Sequence, residues 1–71
     1  MILRLNKQIF DYGTVVTAIK AYMDLATITI DDDRLYWVCS FYDCVYPESL
    51  TICEFENYVI DLMNSKHYGN Y

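Results

Sequence analysis

Three cysteines, Cys39, Cys44 and Cys53, and one histidine, His67, are the residues best suited to metal or nucleophilic chemistry. Their spacing argues against both. Four and then eight residues separate the thiols, and no Cys-x-x-Cys pair is formed. A closed zinc site needs four ligands, and His67 stands in a segment that reads as a frayed tail. A nucleophilic thiol needs a base or a cation beside it. Asp43 next to Cys44 and Glu54 next to Cys53 are anions, the wrong neighbours for a thiolate nucleophile. An odd cysteine count in a chain without secretory features predicts free thiols that behave as small apolar groups.

The carboxylates come next. Asp31, Asp32 and Asp33 are consecutive, whereas a calcium loop alternates its ligands, turns on a glycine and closes with a glutamate. The triplet predicts a solvated hairpin turn. Glu54, Glu56 and Asp61 fall on a helical segment, with Glu54 and Asp61 two turns apart on one side, as on a solvated helix face. A phosphate-cradling glycine loop, a Ser/His/Asp set and a zinc-protease pattern are all missing from the sequence. The expectation is a non-enzyme with no catalytic residues, no cofactor and no metal.

The aromatic residues are the strongest functional signal. The chain has 71 residues, of which 17% are aromatic, with eight Tyr, three Phe and one Trp. A core this small cannot hide so many rings, and surface tyrosines give large contact area for few frozen torsions. Tyr36, Tyr42 and Tyr46 are expected around a hairpin, and Tyr58 beside Glu54 and Asp61 on an outer helix face. These six residues are the candidate partner-binding set. The net charge of −5 opposes nucleic acid and anionic membrane as partners and favours a basic protein or peptide. The longest apolar run is far shorter than the roughly 20 residues of a spanning helix, and the opening Met1–Leu5 does not read as a signal peptide. The expected location is cytoplasmic. Two other readings stay open. One is an acidic DNA mimic of the kind carried by phages and mobile elements, using Asp31–Asp33, Asp43, Glu48, Glu54, Glu56 and Asp61. The other is a homodimer formed through the hairpin edge or the Trp37 side.

The elements that must position these residues follow from periodicity. Residues 1–10 alternate as a strand with Leu3, Leu5 and Ile9 on one side. Asp11 is a helix cap, and residues 14–25 carry Val15, Ala18, Ile19 and Tyr22 at helical steps. Residues 26–30 alternate again, with Ala26, Ile28 and Ile30 inward. Residues 35–42 form a second hairpin strand with Leu35, Trp37, Cys39 and Phe41 on one face. Its other face, Tyr36, Val38, Ser40 and Tyr42, is still aromatic and is therefore covered or used. Pro47 interrupts the following loop. Thr51 and Glu54 have capping-box spacing ahead of a helix over 51–64 that buries Ile52, Phe55, Val59 and Met63. Residues 65–71 read as a frayed tail. The expectation is one small α+β domain ordered β-α-β-β-α, a small antiparallel sheet with two helices packed on one face.

Four segments resemble the HxsD-like family: Lys7–Asp11 (KQIFD), Thr17–Asp24 (TAIKAYMD), the short strand Ala26–Ile30, and Glu54–Asn64 (EFENYVIDLMN) with its Phe55, Asn57 and Tyr58. The resemblance covers about residues 5–64. It points to the shorter branch of the family, without an Arg-containing C-terminal extension. It implies a non-catalytic accessory protein of His-Xaa-Ser and related peptide-maturation systems, whose partner is a radical-SAM peptide-modifying enzyme, its precursor peptide, or both. No catalytic residue is carried over.

Overall fold

The computed structural model describes residues 1–68, with side chains through Ser65. Five elements follow in order: β1 (Ile2–Asn6), α1 (Tyr12–Ala21), β2 (Thr27–Asp32), β3 (Tyr36–Tyr42) and α2 (Glu48–Tyr68). The small α+β fold expected from the sequence is present. Its sheet is antiparallel with strand order β1-β3-β2. β3, last in sequence, takes the central place, so β1 and β2 are both edge strands. They run parallel to each other, separated by β3, and α1 is the crossover between them.

Period-two alternation gives the sheet two unlike faces. Leu5, Ile28, Cys39 and Phe41 are buried toward the helices, with Leu3, Ile30 and Trp37 packed beside them. From the helices, Val15, Ala18, Phe55 and Val59 complete the core. Phe55 is its hub. It meets Phe41 edge-on at 5.3 Å between ring centroids and Tyr22 at 5.4 Å. Both contacts have the edge-to-face geometry that aromatic quadrupoles favour.

Several boundaries differ from the sequence expectation, each for a local reason. The first strand ends at Asn6 instead of residue 10. The Asn6 side chain accepts from the Gln8 amide at 2.8 Å, and its carbonyl accepts from Ile9 and Phe10. This turn competes with the ladder and leaves Ile9 exposed rather than inward. Asp11 caps α1 as expected, accepting from the Thr14 amide at 3.1 Å. The helix then starts at Tyr12 and stops at Ala21, where the Tyr22 amide reaches both the Ala18 and Ile19 carbonyls. Tightened bonds of this kind end a helix, and the turn to Ala26 begins there. β2 extends through Asp31 and Asp32, so the hairpin loop shrinks to Arg34 and Leu35 between the mutually bonded Asp33 and Tyr36. Leu35 thereby leaves the apolar face and lies 58% exposed.

The last helix departs most. It begins at Glu48, directly after Pro47, and continues to Tyr68, where a frayed tail was expected. Pro47 does not break it: its carbonyl accepts the first helical bond, from Thr51 at 3.0 Å. A proline is well placed at such a start because no amide is required of it. Thr51 is therefore inside the helix and buried, its hydroxyl also donating to Pro47, and the capping box is not formed. Ile52 and Met63 are half-buried rather than core. Asp43, just past β3, has φ 52°, a left-handed conformation that aspartate tolerates better than most residues. The part of the expected tail beyond Tyr68 lies outside the described residues.

Candidate binding surfaces

The sheet turns one face away from both helices. The pleat places Ile2, Arg4 and Asn6, Thr27, Thr29 and Asp31, and Tyr36, Val38, Ser40 and Tyr42 on it. In cross-strand rows, Ile2, Ser40 and Thr29 are neighbours, and Arg4 and Asp31 flank Val38. No described element covers this face. Tyr36 and Tyr42 stand at opposite ends of β3, about 20 Å apart along the strand. They share the face but form no single patch. Tyr42 is 53% exposed, and Tyr46 is exposed in the loop that leads to α2.

Glu54, Tyr58 and Asp61 share a stripe of α2 at helical steps. Glu54 and Asp61 are exposed, but Tyr58 is not an outer residue. Its ring is half-buried and leans on Tyr22 at 5.7 Å, within the seam where α1 ends against α2. Tyr22 feels this seam. Loss of solvent raises its phenol pKa above the ordinary value, and the nearby Glu54 charge and Tyr58 raise it further. The candidate set thus divides between Tyr36 and Tyr42 on the sheet, Tyr46 in the loop before α2, and Glu54 and Asp61 on the helix, with Tyr58 given over to packing.

One cluster went unread in the sequence. Trp37 is half-buried at the hairpin end of the sheet. The Lys7 ammonium lies 4.6 Å from its ring centroid and also pairs with Asp32, the cross-strand partner of Trp37. Tyr12 packs against the same indole at 5.2 Å. Lys7, Tyr12, Asp32 and Trp37 are scattered in the chain, so only the β1-β3-β2 register unites them. Asp32 pairs with Lys7 while its side chain stays largely exposed, and Asp33 closes the turn.

The thiols are unlike one another. Cys39 is fully buried in the centre of the sheet, and burial pushes its pKa up from 9.0 to about 11. Cys44 is half-buried and Cys53 exposed, and all three are free. Among the described residues, no three His, Cys, Asp or Glu side chains are grouped to hold a metal ion. Among the same residues, no helix is long and apolar enough to cross a membrane.

Compared with models of protein families, with curated proteins and with solved structures, the chain matches none.

Proposed function

We propose that this protein is a non-catalytic binding module that serves a peptide-modifying enzyme of the radical-SAM type, its precursor peptide, or both. The observation that carries the binding role is the uncovered sheet face. Two helices occupy one side of a three-stranded sheet, and the other side presents Ile2, Tyr36, Val38 and Tyr42 to solvent. Tyr36 and Tyr42 at the two ends of β3, around a mixed strip of Ile2, Val38, Ser40, Arg4 and Asp31, give this face aromatic anchors of the kind enriched at contact surfaces. The acidic balance selects a partner with basic character. The peptide-maturation role rests on the likeness of Lys7–Asp11, Thr17–Asp24 and Glu54–Asn64 to the HxsD-like proteins.

Affinity capture of the tagged protein from its native lysate, at low and moderate salt, tests the proposal. Recovery of a radical-SAM enzyme or a short precursor peptide is the expected result. Recovery of a nuclease or transcription factor that DNA displaces would replace it with the DNA-mimic reading.

A further inference from the structure

The edge of β2 differs from the open face in offering backbone as well as side chains. Asp33 and Tyr36 exchange both of their backbone hydrogen bonds. Counting back along the antiparallel ladder, Asp31, Thr29 and Thr27 also direct their amides and carbonyls to β3. Ile28, Ile30 and Asp32 direct theirs outward, where none has a backbone partner among the described residues. Directly below this edge, between α1 and β2, lies a groove of about 280 Å³ lined by Ile19, Met23, Ala26, Thr27 and Ile28. Met23 stands 71% exposed at its border. The edge carries no proline or bulge, and its charged residues, Asp31 and Asp32, lie at the end of the strand away from the groove.

From this geometry we infer that β2 accepts an extended lysine-rich peptide as a fourth strand of the sheet. A residue opposite Ile28 or Ile30 shares their face, so its side chain enters the apolar groove. The alternate residues lie beside Thr27, Thr29 and Asp31. Asp24 precedes the strand, and Asp31 and Asp33 stand at its far end, all exposed. Lysines at the alternate positions share the face of Asp31 and meet its carboxylate and that of Asp33 beyond it. A second copy of this chain carries the same net charge of −5, which disfavours it as the occupant relative to a cationic peptide. Main-chain pairing supplies affinity and the groove selects the side chain, as in other strand-addition sites. This deepens the binding-module reading and rests on it for its biological setting.

The probe is a blocked eight-residue peptide of alternating lysine and valine, with the glutamate–valine peptide as control. Amide hydrogen exchange is followed residue by residue. The lysine peptide is expected to slow exchange at Ile28, Ile30 and Asp32 by at least tenfold. Ile2, Arg4 and Asn6 on the opposite edge should be unaffected, as should all residues with the control. Met23→Lys, at an exposed position that leaves the core intact, should weaken the peptide at least tenfold. Protection at the β1 edge, protection nowhere, or concentration-dependent protection without peptide overturns the inference. If a captured peptide-modifying enzyme or precursor binds Met23→Lys as well as the parent, the edge site fails while the maturation reading stands. If the edge binds the lysine peptide but no such partner is captured, the reverse holds.

Discussion

The Trp37 indole N–H donates to the Phe10 carbonyl at 2.9 Å, joining the central strand to the turn that precedes α1. The bond spans 27 residues and fixes where the crossover helix leaves the sheet. Phe10 lies in a turn with no ladder of its own, so this donor satisfies a partly buried carbonyl that no strand would serve. Trp37→Phe keeps most of the apolar area and removes the donor. The expected loss is about 1–3 kcal/mol, the cost of an unsatisfied partly buried acceptor. Urea denaturation followed by circular dichroism measures it, and an unchanged midpoint would show that water replaces the bond.

Cys39 gives the fold an alkaline limit. Its folded pKa of about 11 exceeds the ordinary 9.0, so the folded state favours the neutral thiol. Its contribution is complete below pH 9 and declines as the pH rises through about 11. Over that window the protein should lose roughly 2–3 kcal/mol. Tyr22, also raised, adds to the same slope. Cys39→Ala should be less stable at neutral pH because of the cavity, yet show a flatter stability profile from pH 9 to 11. Equal slopes in the two proteins would remove Cys39 as the cause.

The three thiols should react in order of access. Cys53 is exposed, Cys44 half-buried and Cys39 fully enclosed. A thiol reagent at pH 8 is expected to modify Cys53 first, Cys44 more slowly, and Cys39 only at the rate of unfolding. Peptide mapping after timed quenching reads the order. Early labelling of Cys39 would mean that the sheet opens locally.

Phe55 is the residue on which the helix layer depends. Its ring is fully buried and contacts both Phe41 and Tyr22. Phe55→Ala should cost about 3–5 kcal/mol, enough to unfold most of a domain this small. Phe55→Leu should retain the fold with a lowered melting temperature. A native spectrum for the alanine variant at 37 °C would show that the helices are held by something other than this aromatic chain.

Capping by Asp11 is an interaction that local sequence reveals. Asp11→Ala should reduce stability by about 0.5–2 kcal/mol, and Asp11→Asn by less, because asparagine caps nearly as well. Thermal melts of the two variants separate capping from charge.

The element types and the core were legible because burial writes its period into the chain. Ala26, Ile28 and Ile30 alternate with Thr27 and Thr29, and Trp37, Cys39 and Phe41 with Tyr36, Val38 and Ser40. Each alternation matches the side of the sheet it occupies. The places of Asp11, Val15, Ala18, Phe55 and Val59 were readable for the same reason, since caps and helical steps are local. Boundaries were harder. Ile9, Leu35 and Tyr58 are apolar or aromatic and fit the local period, but backbone turns and a helix seam decide their exposure.

The sequence by itself determined two amphipathic helices, three strands and an acidic net charge, because these depend on composition and on residues near one another in the chain. Tertiary structure alone decided that β3 is central, that β1 and β2 are edges, and that Tyr36 and Tyr42 are separated from Glu54 and Asp61. It also decided that Lys7, Asp32 and Trp37 meet, and that the outward backbone of β2 lies over a groove from α1. Strand order sets all of these. It depends on how residues far apart in the chain share one core, and the periodicity of each strand is the same whichever neighbour it pairs with.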